Sequence, residues 1–442
     1  MKQQSCKPIF LKYTILSILG TLGVSCYILA DTFFVSKGLG SQGLTALNLA
    51  IPIYNFIHGT GLMLGMGGAT KFSIYQSQHR KEEMDEIYTN TLYLALIFSA
   101  VFVFTGLFFS EHLAKMLGAD HYTAGMTVTY LRWLLIFAPA FILNDILLCF
   151  VRNDDGPQLS MMAMLIGSFS NIGLDYLFIF PCQMGIFGAV FATGLSPIIS
   201  MAMMLPHWTK KKNTFHLMRS RMNTLMLKHS MSLGLPSLIA QLSSGAVMIV
   251  FNRLILRLEG NIGVAAYGVI ANLSLVIVAI YTGIAQGVQP LLSRFYGQND
   301  TKQLQTVQGY AMILMLIVSV ILYAASFIFA GPIAAVFNSE RQAALQQMAE
   351  MGLKLYFISN GFAGYNIILA TYFTSIEKAR PAQILSVLRG FVVILPLAFL
   401  MAAVWKMTGI WLTYPVTEGV VALAGIIVYK RIKRKADAEH MA

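Results

Sequence analysis

The stretch Gly185-Ile-Phe-Gly-Ala-Val-Phe-Ala-Thr193 returns later as Gly409-Ile-Trp-Leu-Thr-Tyr-Pro-Val-Thr417, and that return decides the architecture. Both copies open on glycine, run apolar and close on threonine, at an offset of about 224 residues. Two further pairs keep the same order. Thr60-Gly-Leu-Met-Leu-Gly65 matches Thr282-Gly-Ile-Ala-Gln-Gly287, and Arg152-Asn-Asp-Asp-Gly-Pro157 matches Ile376-Glu-Lys-Ala-Arg-Pro381. The chain reads as an internal duplication. Carrying the offset back sets Leu395 and Phe399 opposite Asn171 and Asp175, so the second copy loses its acids.

Mean hydropathy of +0.67, with 57% hydrophobic and 11% charged residues, excludes a soluble domain, which carries about a quarter charged residues. Apolar runs long enough to cross a bilayer, about 20 residues each, recur over 13–36, 46–70, 88–109, 123–150, 158–181, 186–206, 230–256, 264–292, 309–331, 349–374, 382–404 and 409–429. The expected fold is an all-α integral membrane protein of twelve transmembrane helices. They form two parallel-repeat six-helix bundles around a central cavity, parallel because six crossings return the chain to its starting side. The expected division is an N-lobe over 1–206, a linker over 207–229, a C-lobe over 230–429 and a basic tail over 430–442.

Most of the 31 lysines and arginines fall on the side of the N-terminus, with Lys210-Lys-Lys212 and Lys430-Arg-Ile-Lys-Arg-Lys435 dominating. By the positive-inside bias both termini are cytoplasmic, in a multi-pass protein of the cell (inner) membrane. The net charge of +12 then reflects topology and attraction to anionic lipid, not nucleic-acid binding. Cys6, Cys26, Cys149 and Cys182 lack metal-site spacing and read as ordinary apolar cysteines. Neither a cofactor nor a stable partner subunit is expected, and the chain reads as a monomer.

Charged groups deep in lipid cost about 2.5–3.5 kcal/mol even on the lenient insertion scale, so each calls for a role. At 1.5 Å per residue, Asp31 lies about 7 Å below the outer end of the first span and Asp175 about 9 Å below that of the fifth. Thr193 on the sixth span and Tyr130 on the fourth share that level. Asn171 stands four residues before Asp175, on the same helix face. Two carboxylates, an amide oxygen and a hydroxyl make an all-oxygen set that suits a small alkali cation, or a proton shared between acids. Helix–helix packing is the alternative for Asn171 or Thr193 taken singly.

Asn144 and Asp145 sit nearer the cytoplasmic side, either lining a cavity that receives cationic substrate or pairing with Arg152. Gln286, beside Gly287 and Pro290, marks a binding cavity or a kink. Met63 and Met66 are candidate adaptable walls for bulky ligands. In the second copy Glu418 is a possible second protonation site, and Arg389 is expected to snorkel to the cytoplasmic interface.

At these residues the chain resembles the multidrug and toxic compound extrusion (MATE) family, above all its DinF-like and MepA-like bacterial members. The resemblance rests on Ala30-Asp-Thr-Phe-Phe-Val-Ser-Lys-Gly-Leu-Gly40, Val151-Arg-Asn-Asp-Asp-Gly-Pro157, Ser170-Asn-Ile-Gly-Leu-Asp-Tyr-Leu-Phe178 and Gly283-Ile-Ala-Gln-Gly-Val-Gln-Pro290, and covers nearly the whole chain. It implies alternating access by two six-helix bundles, with Asp31, Asn171, Asp175 and Thr193 as the N-lobe ion site. The chain departs from relatives that bear an acid pair on the seventh and tenth helices. It also lacks the first-helix proline of some relatives, leaving Gly20 and Gly23 as flexible points. The expected activity is Na+- or H+-coupled antiport that exports amphipathic, mostly cationic compounds and so confers antibiotic resistance. A lipid-linked oligosaccharide flippase of the same superfamily is the first alternative, and an intramembrane enzyme the second.

Overall fold

The computed structural model describes residues 6–338 and 342–441, with side chains as far as 434. Cys6–Ser77 and Thr224–Gly297 are helical runs of 72 and 74 residues. At 1.5 Å per residue each would be about 110 Å long, far more than one crossing of about 30 Å of hydrocarbon. Each breaks once, at Gly40 (φ 67°, ψ −160°) and Gly260 (φ 61°, ψ −152°). Positive φ with extended ψ is a region open essentially to glycine alone, so the chain reverses there without a loop. A third long helix, Ile394–Met441, breaks at Lys406 (φ 50°, ψ −130°).

Counting those breaks gives twelve crossings among the described residues. They are α1 (6–39), α2 (41–77), α3 (Lys81–Met116), α4 (Ala124–Ile136 and Ala138–Asn153), α5 (Pro157–Ile179) and α6 (Gly185–Met204). The second set is α7 (224–259), α8 (261–297), α9 (Thr301–Ile328), α10 (343–375), α11 (379–405) and α12 (407–441). Predicted spans and observed helices correspond one to one, but the first two run together at Gly40 where a gap over 37–45 is expected. The fourth bends by 47° at Phe137. Pro139, in the first turn after the bend, has no amide hydrogen to give the preceding turn.

The backbone repeats the duplication. Left-handed residues recur in the same order in both halves: Gly40 and Gly260, His79 and Asn299, Asp155 and Glu377. One apolar core gathers Val35 through Phe215, and a second gathers Phe251 through Val421 with Phe10 of α1 added to it.

The buried face of α11 corrects the register of the repeat. The buried face of α5 is Ser160, Ala163, Gly167, Asn171, Asp175 and Ile179. That of α11 is Ala382, Leu385, Gly390, Ile394, Ala398 and Ala402. The spacings agree except between Leu385 and Gly390, where the π-helical turn Leu388–Val392 inserts one residue. Ile394 and Ala398 therefore stand where the first lobe has Asn171 and Asp175. Leu395 and Phe399, expected there from the sequence, do not; Phe399 is 56% exposed on the outer surface of the bundle.

The segment between α6 and α7 is a strap docked on the first lobe. Asp154 accepts bonds from the Thr214 backbone N–H (2.8 Å) and Gln76 Nε2 (2.9 Å), and meets His207 Nε2 at 2.8 Å. Further along, the backbone N–H groups of His216, Met218 and Asn223 donate to Asp85, Thr89 and Asn90 on α3. The extended strap thus finds acceptors for amides that lack a helix or sheet. Phe215, fully buried, nails it between Phe72, Tyr88 and Phe150.

Candidate ion and substrate site

Four elements of the first lobe converge on one buried cluster. α1 brings Asp31, α5 brings Asn171 and Asp175, α6 brings Thr193 and the first half of α4 brings Tyr130; all five are at most 7% exposed. The Tyr130 hydroxyl neighbours Thr193 and lies within electrostatic reach of both Asp31 and Asp175. The two carboxylates are likewise within reach of each other. Thr193 donates to the Ala189 carbonyl, leaving its oxygen lone pairs toward the cluster.

The cluster lacks internal compensation. Asp31 Oδ1, both oxygens of Asp175 and both side-chain polar atoms of Asn171 are buried with no hydrogen-bond partner among the described residues. Buried polar atoms are almost always paired, so five orphans at one place call for a partner that the neighbouring side chains do not supply. These acceptors suit a cation or a proton. α1 runs unbroken through Gly20 and Gly23, the available flexible points, and both glycines lie against Met164 and Leu165 of α5.

Beside this cluster is a cavity of about 110 Å³ framed by α1, α2, α4, α5 and α6, with Gln286 of α8 on its far wall. Thr193, Asn144 and Asp145 line it, as does Arg152. Gln286 Oε1 and Asn144 Oδ1 are buried without partners. Met63 and Met66, expected as cavity walls, are 3% and 8% exposed and belong to the apolar core of the first lobe. Tyr130 is also absent from the cavity lining and sits with the acids.

Asp145 lines the cavity and also meets a residue that neither of its two expected roles included. His58 Nδ1 lies 2.8 Å from Asp145 Oδ2, an ion-pair contact out of line for a well-formed hydrogen bond. Arg152 is within electrostatic reach without bonding it. Tyr54 stacks on His58 with ring centres 5.9 Å apart, and Phe141 meets Tyr54 edge-on. The Tyr27 and Tyr54 hydroxyls join at 2.5 Å. His58 was legible in principle, because an ionisable group inside an apolar span is a candidate by default whether acid or base.

The second lobe treats its acid differently. Glu418, fully buried, meets Arg389 Nε at 2.5 Å and accepts from Asn366 Nδ2 at 2.7 Å. Arg389 also donates to the Tyr414 hydroxyl at 3.3 Å. Arg389 therefore does not snorkel to an interface; the π-helical turn that carries it aims it at Glu418 inside the lobe. The Asp31–Asp175 cluster of one lobe has no basic side chain paired with its acids, whereas Glu418 of the other is paired with Arg389.

The lobes are latched together at the face that bears both chain ends. Asp155 accepts from Arg294 Nη2 of α8 at 2.8 Å and from the Tyr13 hydroxyl at 2.9 Å. Its repeat partner Glu377 pairs with Lys71 of α2 and contacts His229 at 3.4 Å. Each acid thus reaches from its own lobe to the second helix of the other. Between them Gln289 bonds Thr70 (3.1 Å) and Asn153 (3.0 Å), and Thr21 donates to the Ala279 carbonyl at 2.8 Å. Partly exposed ion pairs contribute about 0–1 kcal/mol each. Asp155→Asn combined with Glu377→Gln should therefore loosen this face several-fold, read as faster maleimide labelling of a cysteine introduced by Ser230→Cys. An unchanged labelling rate would show that the two ion pairs do not keep it closed.

A family model for MatE matches residues 17–177 and again 236–400, once in each lobe. The chain belongs to the MATE family. It is 25% identical to the multidrug export protein MepA of Staphylococcus saprophyticus over 418 residues, covering 94% of this chain and 92% of the relative. MepA of Staphylococcus aureus is also 25% identical, over 426 residues covering 95% and 93%. A multidrug resistance MATE family transporter of the MOP superfamily, solved in an outward-facing conformation, superposes with a TM-score of 0.91 at 23% identity, covering 98% of this chain and 97% of that one. A MOP superfamily transporter from Pyrococcus furiosus gives 0.90 at 24% identity with the same coverage. The chain is thus a MepA-like, multi-pass membrane transporter.

Proposed function

We propose that this transporter exports amphipathic, mostly cationic compounds in exchange for inward Na+ or H+. The relatives' role as multidrug exporters supports the export half of this reading. The coupling half rests on the orphaned acceptors of Asp31, Asn171 and Asp175. An ion entering there supplies the missing charge, and does so in one lobe only, because Arg389 already fills that role for Glu418.

The cavity supports the substrate class. Asp145 supplies negative charge, while Tyr27, Tyr54 and Phe141 supply aromatic faces and edges that suit an organic cation. With the latched face read as cytoplasmic, the described conformation is the one sealed toward the cell interior. Exchange then requires that ion and substrate favour different conformations; a ligand that binds both states equally moves nothing. The acids and the cavity share α1, α4, α5 and α6, so filling one alters the walls of the other.

Purified protein in proteoliposomes tests the reading. Efflux of a fluorescent lipophilic cation is expected to follow an imposed sodium gradient or an imposed proton gradient, each applied alone. Efflux that follows neither removes the antiport reading, and efflux that follows one names the coupling ion.

A further inference from the structure

We infer that His58 is a built-in surrogate for the substrate: in its protonated form it occupies Asp145 when the cavity holds no cation, and it gives up that proton when a cationic substrate arrives. The inference rests on the export reading above but concerns a different pair from the acids of the ion site.

The geometry places one positive charge at a time on Asp145. His58 Nδ1 is 2.8 Å from Asp145 Oδ2, and the side chains are 25% and 6% exposed. The carboxylate is therefore buried while the imidazole borders the cavity. A carboxylate in that position is costly unless something positive stands against it. Arg152 is near but does not bond it, and its Nη1 is itself unpartnered. Room for the carboxylate comes from Gly61 on α2, where a Cβ would stand 2.5 Å from Asp145 Oδ2.

The walls are those an organic cation would use. Tyr54 stacks on the imidazole at an interplanar angle of 13°, with Phe141 edge-on at 87° and the Tyr27 hydroxyl tied to that of Tyr54. Ring faces that stack on the His58 imidazole also suit a delocalised organic cation. The ionisable groups around the pair are Arg152 and Cys149 on α4, Tyr54 on α2, and Tyr27 with the more distant Asp31 on α1. α5, α6 and α8 present Ser168, Thr193, Ser196, Ser200 and Gln286, which do not titrate. α3 and α7 meet this part of α2 through Phe102, Leu238 and Gln241.

The exchange balances. With the cavity open inward, a monovalent cation takes Asp145 and the imidazolium releases its proton to water on that side. With the cavity open outward, the cation departs and the imidazole takes a proton from outer water. At this pair one charge leaves and one enters in each cycle, separately from the ion carried by Asp31 and Asp175. Histidine suits this role because its unperturbed pKa near 6.5 lets it change charge close to physiological pH.

NMR of protein carrying ring-¹⁵N histidine in lipid nanodiscs reads the charge directly, with His58 assigned by the signal lost in His58→Gln or, should that variant misfold, His58→Asn. Near pH 6.5 His58 is expected to show the imidazolium shift without ligand and the neutral-imidazole shift at saturating tetraphenylphosphonium. Triphenylphosphine oxide, similar in size but uncharged, should leave it protonated. A charge state that the cation does not change, or that the neutral compound changes equally, overturns the inference. The same titration in Asp31→Asn/Asp175→Asn protein separates it from the ion-site reading. Conversion retained there supports a proton held by this pair, whereas conversion lost assigns the proton to those acids and overturns it. Loss of efflux in that double variant tests the ion site on its own.

Discussion

Asp31→Asn and Asp175→Asn are each expected to reduce drug resistance to that of cells without the transporter, while the protein reaches the membrane in normal amounts. Both changes keep side-chain size and remove the charge that a cation or proton would meet. The cluster has no second source of charge: Asn171, Thr193 and Tyr130 are neutral, and Glu418 belongs to the other lobe with Arg389. Efflux of a fluorescent cation should fall by more than tenfold in either variant. Stability should move the other way. Asp175 is fully buried with both oxygens unpartnered, and leaving such a group unsatisfied costs about 1–3 kcal/mol or more. Asn at 175 is therefore expected to keep or raise the unfolding temperature of the purified protein, since sites kept for function are commonly not optimal for stability. Loss of efflux together with an unfolded protein would point to a structural role, and normal resistance in both variants would sink the assignment.

How much of this was legible in the sequence depends on what each residue's role requires. The twelve crossings follow from apolar length, and the acids of the first lobe from depth and helical spacing, because Asn171 and Asp175 share a face without reference to any other helix. The reversal at Gly40 needs a φ of 67°, and a glycine among many does not announce that value. The π-helical turn in α11 was invisible for a similar reason. It moves the repeat offset from 222 at Leu385 (385 − 163) to 223 at Gly390 (390 − 167), and the offset reaches 224 only at Gly409 (409 − 185), so the single value read from Gly185 and Gly409 falls on Leu395 and Phe399 when the buried positions are Ile394 and Ala398.

Pairings across helices were the other gap. Arg389 near the end of a predicted span looked free to reach water, and only the packing of α11 against α12 brings it to Glu418. Met63 and Met66 have the chemistry of a cavity wall, but the rotation of α2 turns them into the core. The same rotation carries His58 to Asp145. Positions set by one helix's own periodicity could be read; those set by the angle between two helices could not.

Gly234→Val is expected to abolish transport by preventing the latched face from closing. A Cβ at Gly234 on α7 would stand 1.8 Å from the Met63 carbonyl oxygen, and one at Gly67 on α2 would stand 2.1 Å from that of Ser230. These are contacts of backbone with backbone, so no side-chain rotation relieves them. The two helices come from different lobes and cross on the side of the molecule held by Asp155–Arg294 and Lys71–Glu377. Overpacking at such a contact costs about 1–3 kcal/mol or more, and each 1.4 kcal/mol is a factor of ten in the ratio of closed to open forms. The crossing glycine therefore outweighs the exposed Asp155–Arg294 pair, whose acid side chain is 65% exposed. Each lobe keeps its own apolar core, so the variant should still insert and bind lipophilic cations. A cysteine placed by Ser230→Cys should label much faster in it than in the wild-type background. Gly234→Ala carries the same Cβ and should show the same direction of change. Efflux at the wild-type rate in Gly234→Val would mean that the lobes need not close along this line during the cycle.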